Sequence, residues 1–149
     1  MSKSNAFENA FLLLVCNNTN IANIGDATGL RGSSTVGSLY FAGHSADPGE
    51  AGDQTTSELT YGSYARQAVA RTSGALLVAA NQVSIVSAVD FPVGTTGTVT
   101  QNFTWVSLGV ALSGASMIIW RAQLSTALYT GVGIQPRLTA TTGFVVTED

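Results

Sequence analysis

The chain has 149 residues, of which 10% are charged and 45% are hydrophobic, and its formal net charge is −3. This length suits one domain with one core, and the charged share is well below the roughly 25% of an ordinary soluble domain. A free monomer uses charge to stay soluble, so the composition favours a surface covered by neighbours over an extracellular β-domain with a hydroxyl-rich exterior.

The charge and cysteine content also argue against several classes of function. The Lys and Arg residues number 6 and are spread along the chain, so they form no basic stripe for nucleic acid. Cys16 is the single cysteine and cannot form an internal disulfide, which allows assembly in a reducing cytoplasm. No apolar run approaches the roughly 20 residues of a membrane span. We therefore expect neither a nucleic-acid nor a membrane partner.

The N-terminal segment predicts a short amphipathic helix followed by an irregular arm. Asn5 and Glu8 have the spacing of a capping box. Residues 17–37 are rich in Asn, Gly, Ser and Thr, and such an arm either wraps onto a neighbouring subunit or is pinned across a sheet. We therefore assign residues 1–36 to a helix and arm. The apolar residues at helical spacing share one face that needs cover: Phe7, Phe11, Leu14 and Val15.

Short β-runs separated by turn residues follow from Gly37 onward. Their number is about eight, with little helix and no alternation of strand and helix. The side-chain phase changes near Trp105, which predicts a bulge. The pattern predicts an all-β fold, an antiparallel β-sandwich of jelly-roll-like form, for a body of residues 37–149 in a single domain overall. The predicted strands are Leu39–His44, Leu59–Arg71, Leu76–Ala79, residues 83–91, Val99–Leu112, Met117–Leu124, Ile134–Ala140 and Phe144–Thr147.

Few residues of the sequence suit catalysis or metal binding. His44 is the only histidine, and it lies too close along the chain to Ser45 and Asp47 to form a catalytic triad with them. We expect a hydrogen-bonded histidine at a strand end, and we expect Cys16 to be a small buried hydrophobe. One His and one Cys cannot supply a nitrogen and sulfur zinc site. We therefore expect no catalytic, cofactor-binding or metal-binding residues and no cofactor.

Four carboxylates form the only concentration of charge. Their spacing does not match an EF-hand loop, although a flexible loop could collect Ca²⁺, and paired carboxylates also raise the alternative of glycoside cleavage. We favour a solvated loop, or one that meets arginines across a subunit boundary. The four residues are Asp47, Glu50, Asp53 and Glu58.

Two arginines and two tyrosines follow the acidic residues. We expect Arg66 or Arg71 to reach a carboxylate of residues 47–58 and to fix that loop, because charge-assisted pairs position loops well. Tyr61 and Tyr64 have opposite parity in a regular strand, so one should face the core and the other becomes an interface candidate.

Residues 39–71, LYFAGHSADPGEAGDQTTSELTYGSYARQAVAR, resemble a family of small phage and prophage virion proteins. The shared pattern is a strand ending in an ADPGEAG loop, then E-x-x-Y-x-x-Y-A-R, and a looser likeness includes Gly25–Ser34 and the closing VVTED. Gly43 and Gln67 depart from the pattern, since a larger residue and an aliphatic one would alternate better there. The resemblance brings no catalytic residues.

The resemblance implies a non-enzymatic structural protein of the virion, assembled in the host cytoplasm. We expect a capsid decoration or cement protein that binds the major capsid protein as a homotrimer. The alternative is a tail component, either an adaptor or a receptor-binding fibre head that binds other tail proteins; a small depolymerase is disfavoured. The interface candidates are Phe7, Phe11, Leu14, Val15, Asp47, Glu50, Glu58, Tyr61, Tyr64, Arg66 and Arg71.

Overall fold

The computed structural model describes residues 3–96, 102–139 and 145–147. Within these ranges the chain forms one helix and nine strands. They are α1 (Asn5–Asn17), β1 (Ser38–His44), β2 (Gln67–Ala70), β3 (Leu76–Ala79), β4 (Gln82–Ile85), β5 (Val89–Asp90), β6 (Asn102–Gly109), β7 (Ile118–Tyr129), β8 (Arg137–Leu138) and β9 (Val145–Thr147).

The fold class predicted from the sequence, all-β and sandwich-like with a short N-terminal helix, is confirmed. The strands form three sheets with the orders β2-β1-β6-β7, β3-β4-β9 and β5-β8. The pairings β1–β6, β6–β7, β3–β4, β4–β9 and β5–β8 are antiparallel. The jelly-roll form of this fold stays a prediction.

The chain forms two compact units. The first contains Met1–Ser38, Val69–Val86 and Val145–Asp149, and the second contains Leu39–Ala68 and Ser87–Phe144. The first 36 residues therefore share a unit with two later segments. The division of the chain at residue 36 within one domain stays a prediction.

Helix α1 differs from its prediction by one residue in two respects: the position of its N-cap and the set of side chains that it buries. The N-cap is Ser4, whose side chain accepts a hydrogen bond from the backbone N–H of Phe7, so the expected cap at Asn5 is wrong. The buried residues are Glu8, Leu12 and Cys16. Their spacing of four places them on one helical face, and this face contacts β3 and β4. Full burial of a leucine such as Leu12 contributes roughly 1.5–3 kcal/mol.

The expected helix face is therefore wrong, and its residues have other environments. Phe7 is exposed, whereas Phe11, Leu14 and Val15 are half-buried. The expectation that Cys16 is buried is confirmed. A buried carboxylate takes part in the packing instead: Asn81 donates from Nδ2 to Oε2 of Glu8 at 3.0 Å.

The irregular arm is pinned within its own chain. Asn18 adopts a left-handed conformation at the helix C-cap, and its side-chain oxygen accepts from the backbone N–H of Ser33 at 2.6 Å. Ile21 and Leu30 form an antiparallel bridge. Groups of the arm thus pair with one another, and the expected course of the arm, across a sheet or onto a neighbouring subunit, stays a prediction.

Strand β1 is central in the second unit and has buried residues on both faces. Phe41 pairs with Leu108 of β6, and His44 pairs with Trp105. The expected bulge near Trp105 is confirmed, since the β6–β7 register shifts between Phe103 and Trp105. Gly43 leaves room for neighbouring side chains: an added Cβ would lie 2.8 Å from Leu59 Cδ1 and 2.9 Å from Phe103 Cζ, so these side chains would have to shift.

Several predicted strands have other bounds. The strand expected at 59–71 is wrong over most of its length, because only Gln67–Ala70 forms a strand. Ser63 has a positive φ of 72°, which interrupts a strand. The run at 83–91 divides into β4 and β5. Strand β7 extends beyond Leu124 to Tyr129, and β8 is shorter than its prediction. The beginnings of the runs expected at 99 and 144 lie outside the described residues, as does the end of that at 134–140.

Candidate functional site

Residues 47–58, which contain the four carboxylates, form the acidic loop. Its Asp and Gly residues specify a compact backbone. The backbone N–H of Gly49 donates to Oδ1 of Asp47 at 2.9 Å, as in an Asx turn, and Gly49 has a φ of 75°. An added Cβ at Gly52 would lie 2.0 Å from the carbonyl oxygen of Pro48. The ADPGEAG pattern thus specifies a tight turn at this end of β1.

The outer carboxylates of the loop meet an arginine of β7. Arg121 lies 3.5 Å from Oδ1 of Asp47 and 2.6 Å from Oε1 of Glu50. The same guanidinium lies over the ring of Trp105, 5.9 Å from its centroid, in cation–π geometry. Because the Glu50 side chain is 94% exposed, this ion pair adds little stability and mainly orients the loop.

The inner carboxylate of the loop forms a two-point ion pair with Arg66. Nε and Nη2 of Arg66 donate to Oε1 and Oε2 of Glu58 at 2.7 and 2.8 Å. The Tyr64 hydroxyl also donates to Oε1 of Glu58, at 3.0 Å, and accepts from the backbone N–H of Gly43. The expectation that Arg66 or Arg71 reaches an acidic residue of the loop is confirmed for Arg66.

Electrostatic effects agree with this arrangement. The hydrogen bond to Glu58 raises the pKa of the Arg66 guanidinium. Burial, followed by the Glu58 charge, raises the pKa of the Tyr64 hydroxyl well above its ordinary value. The Arg66 guanidinium and the Tyr64 hydroxyl therefore both keep their protons at neutral pH.

The remaining donors of Arg66 bind the loop between β6 and β7. Nη1 donates to the carbonyl oxygen of Ala111 at 3.1 Å, and Nη2 donates to that of Gly114 at 2.9 Å. Nη1 also approaches Oε1 of Gln54 and Oγ of Ser116, at 3.3 and 3.2 Å. A guanidinium offers five N–H donors in a fixed fork, and here they join the acidic loop to the β6–β7 loop.

Gln54 is a second centre of this polar network. Its side chain is fully buried, donates to the carbonyl oxygen of Tyr40 at 2.9 Å and accepts from Ser116 Oγ at 2.8 Å. Gly109 makes room for it, because an added Cβ would lie 2.2 Å from Cδ of Gln54. No local pattern identifies Gln54, Gly109 or Ser116, so the sequence reasoning missed these residues.

His44 is buried and hydrogen-bonded, as the sequence predicts. Nδ1 lies 2.8 Å from the carbonyl oxygen of Thr56, and Nε2 lies 2.7 Å from Oγ of Ser107. A carbonyl only accepts, so Nδ1 carries the proton and Nε2 accepts from the serine. Burial lowers the pKa of His44. Both His44 and Ser107 are 0% exposed, so a substrate cannot reach this Ser–His pair in the folded chain.

The two tyrosines of the motif have neighbouring positions but different bonds. Their rings pack edge to face with centroids 5.4 Å apart. Tyr61 donates to the carbonyl oxygen of Pro92 at 2.9 Å, and burial raises the pKa of Tyr61 to about 12. The expected regular strand is wrong at residues 61–66, but one tyrosine, Tyr61, is buried and Tyr64 is half-buried. The assignment of the other tyrosine to an interface stays a prediction.

The motif residues border an open groove of about 440 Å³. Glu58, Tyr64 and Arg66 contribute to its lining together with Leu112. The described residues contain no group of three or more His, Cys, Asp or Glu side chains arranged to hold a metal ion.

Arg71 lies in the first unit and binds the end of α1. It donates from Nη2 to the carbonyl oxygen of Leu14 at 2.7 Å and from Nε to that of Val15 at 2.6 Å. Phe7 and Phe11 stack with centroids 6.5 Å apart. The structure therefore joins the candidates Asp47, Glu50, Glu58, Tyr61, Tyr64 and Arg66 in one region, whereas Phe7, Phe11, Leu14, Val15 and Arg71 belong to the first unit.

Comparison with known proteins gives one family. A protein-family model described as "Podophage GP4 fiber I protein gp80" matches residues 2–142. No curated protein matches the chain. In the described part of the chain, no helix is long and apolar enough to span a membrane.

Proposed function

The chain belongs to the Podophage GP4 fiber I protein gp80 family, and on this premise we propose that it is a structural subunit of a phage tail fibre. It is a structural protein of the phage virion, as its sequence predicts. The family match is the observation that supports the fibre assignment over capsid decoration. It favours the tail alternative that the sequence left open.

The geometry of the motif region supports a non-enzymatic, mechanical role. Its charged side chains bind partners in their own chain: Arg66 holds Glu58 at 2.7 Å, and Arg121 holds Glu50 at 2.6 Å. Such contacts position loops and preserve their shape. We propose that the motif maintains the surface that this subunit presents to neighbouring subunits and tail proteins.

Localisation in the virion tests the fibre assignment. Antibodies against the purified chain should label the tail fibres of intact particles in electron microscopy. Quantitative mass spectrometry of separated heads and tails should find the chain with the tails in few copies per particle. Label spread over the heads, with many copies per head, would replace the proposal by capsid decoration and would make the major capsid protein its partner.

A binding comparison provides an independent check. The purified full chain should bind isolated tails that lack it and should not bind expanded empty capsids that lack it. Point variants are used, because residues 1–36 share a unit with later segments and their deletion would remove part of that unit. The variant Phe7→Ser alters an exposed side chain of this segment, and it should weaken binding to tails if the N-terminal segment forms the attachment surface.

A further inference from the structure

The groove beside the buried ion pair lies wholly within the second unit. Its lining includes Thr55, Glu58 and Arg66 from one part of the chain, and Leu112 and Ser113 from the β6–β7 loop. Its volume is about 440 Å³, and sites for small ligands measure about 300–1,000 Å³. The groove therefore has the size of a small-molecule site.

The cation of the groove has spent its hydrogen-bond donors on its own chain. Nε and Nη2 of Arg66 donate to Glu58, and Nη2 also donates to the carbonyl oxygen of Gly114. Nη1 donates to the carbonyl oxygen of Ala111 and approaches Oε1 of Gln54. A guanidinium has five N–H donors, and these contacts use all five. An anion in the groove would therefore gain no donor from Arg66 and would lie beside a carboxylate.

The carboxylate of Glu58 retains capacity for a further hydrogen bond. Oε1 accepts from Nε of Arg66 and from the Tyr64 hydroxyl, whereas Oε2 accepts only from Nη2 of Arg66 among the described residues. Each carboxylate oxygen has two lone pairs, so Oε2 can accept from one more donor. The Glu58 side chain is 16% exposed and lines the groove, which makes it available to a ligand.

Two further acceptors border the groove. The Thr55 hydroxyl donates to Oδ1 of Asp53 at 2.5 Å, so it offers a ligand its lone pairs and not its proton. The carbonyl oxygen of Gly114 accepts one hydrogen bond from Arg66 and has a second lone pair. With Glu58, these groups favour a ligand that donates hydrogen bonds.

The walls of the groove are ordered before any ligand binds. Arg66 joins them, because it binds both Glu58 and the β6–β7 loop. Left-handed backbone conformations at Ser57 (φ 54°) and Ser63 (φ 72°) directly precede the lining residues Glu58 and Tyr64. Such conformations are unfavourable for residues other than glycine and cluster at binding sites. An ordered groove loses less conformational entropy when it binds.

We propose that this groove binds a short neutral saccharide, whose hydroxyl groups donate to Glu58 and Thr55 while one face of a sugar ring packs on Leu112. Leu112 is 57% exposed and lies beside the acceptors in the lining. A sugar ring has hydroxyl groups around its edge and C–H groups on its faces, so one ring contacts both kinds of surface. The site goes beyond the mechanical role proposed above.

Charge and hydrogen-bond capacity select this class of ligand. The charges of Glu58 and Arg66 balance each other, so the groove has no net charge that attracts an ion. A peptide presents a carbonyl acceptor for every N–H donor, and its carbonyls would gain no donor from Arg66. A hydroxyl group rotates to donate wherever an acceptor lies, so a saccharide suits a lining rich in acceptors.

Binding without cleavage follows from the same lining. Glycoside cleavage usually needs a pair of carboxylates on opposite sides of the scissile bond. Glu58 is the only acidic residue in the described lining of the groove, and Arg66 holds it as an anion in a two-point pair. We therefore expect the saccharide to be recovered unchanged.

Saturation-transfer NMR on the purified full chain tests the binding. Cellobiose, maltose, lactose and diacetylchitobiose are each added at millimolar concentration, and acetylated, amidated trialanine is added separately to test a peptide ligand. At least one disaccharide should receive saturation, whereas its permethylated form, which has no hydroxyl donor, should not. If no disaccharide binds, or if the permethylated form binds equally well, the proposal is wrong. Binding of the peptide alone would replace the saccharide by a peptide.

Paired variants locate the bound saccharide. Leu112→Ser removes apolar surface from the groove and should raise the dissociation constant roughly fivefold. The control Met117→Ser alters a side chain of the same loop that is 64% exposed and lies outside the groove lining. Ala65→Leu fills part of the groove and should abolish binding, whereas Ala68→Leu, at an exposed position outside the lining, should not.

Circular dichroism verifies that each variant is folded. Wild-type affinity in both Leu112→Ser and Ala65→Leu would place the saccharide elsewhere on the chain and overturn the site. Both experiments use the purified chain, so a failure here is separate from a failure of the tail localisation.

Discussion

Arg66 and Arg71 are close in sequence and were equivalent candidates for the acidic loop, yet the structure uses them differently. The Arg66 side chain is 2% exposed and binds the carboxylate of Glu58. Arg71 is half-buried and donates to the carbonyl oxygens of Leu14 and Val15 at the end of α1. The charge of Arg66 is balanced by the full negative charge of a carboxylate, whereas that of Arg71 faces the partial negative charges of carbonyl groups at the helix end.

The environment of Arg71 has a simple electrostatic cause. The last carbonyls of a helix lack intrahelical partners and carry partial negative charge. Helix α1 has no basic residue in its last turn, so a cation from a distant part of the chain supplies what the helix sequence lacks. The shape of the guanidinium therefore matters most at Arg66, which makes a two-point pair. At Arg71 the positive charge matters most.

The largest expected effect is the loss of Arg66. Arg66→Met leaves the Glu58 carboxylate, which is 16% exposed, without its cation, and such a broken pair costs about 3–5 kcal/mol of unfolding free energy. Urea denaturation measures this loss, and hydrogen exchange should show faster exchange in residues 110–117. Arg66→Lys should recover little, because an ammonium cannot form the two-point pair.

The control for this change is Arg137→Gln. Arg137 pairs with Asp90, but its side chain is 57% exposed, so the urea midpoint should hardly change. If Arg66→Met were no more damaging than Arg137→Gln, the buried ion pair would not be the element that orders the β6–β7 loop.

A smaller effect is expected at Arg71. Arg71→Met removes the cation at the helix end and four hydrogen bonds, at a cost of about 1–2 kcal/mol. Their acceptors are Leu14, Val15, Ser33 and Val36. Exchange should accelerate in the last turn of α1 and not in residues 110–117. Arg71→Lys should retain much of the stability, since a charge near the helix end suffices. Equal losses for the Met and Lys variants would contradict the distinction between the two arginines.

The smallest effect is a pH dependence confined to the region of Arg66. His44, the only histidine, contacts Thr56 and Ser107 there, and burial lowers its pKa. Below about pH 6.5 the unfolded chain takes up a proton that the folded chain resists, so stability is complete above that pH and falls as the pH decreases toward the folded pKa.

Urea midpoints measured between about pH 7.5 and 5 test this dependence, a window that lies above the ordinary titration of Asp. The wild-type midpoint should fall with pH, and that of His44→Asn should stay nearly constant. Arg71→Met should retain the wild-type slope, because no histidine lies in its unit. A slope that persisted in His44→Asn would assign the effect to another group.

The sequence by itself determined the all-β class, the N-terminal helix, the bulge near Trp105 and the pairing of one arginine with the acidic loop. These features depend on local periodicity, turn residues and the scarcity of charge, which a sequence displays directly. The motif also marked Glu58 and Arg66 as candidate residues, because carboxylates followed by an arginine are rare in a chain with so few charges.

Only the tertiary structure decided which helix face is buried, where the 59–71 segment bends and which partner each arginine binds. Leu12 and Cys16 are buried, rather than Phe7 and Phe11, because β3 and β4 cover that side of α1. Gln54 and Ser116 join the Arg66 network over separations of up to 62 residues, and such contacts follow from how the chain packs, which no local pattern encodes.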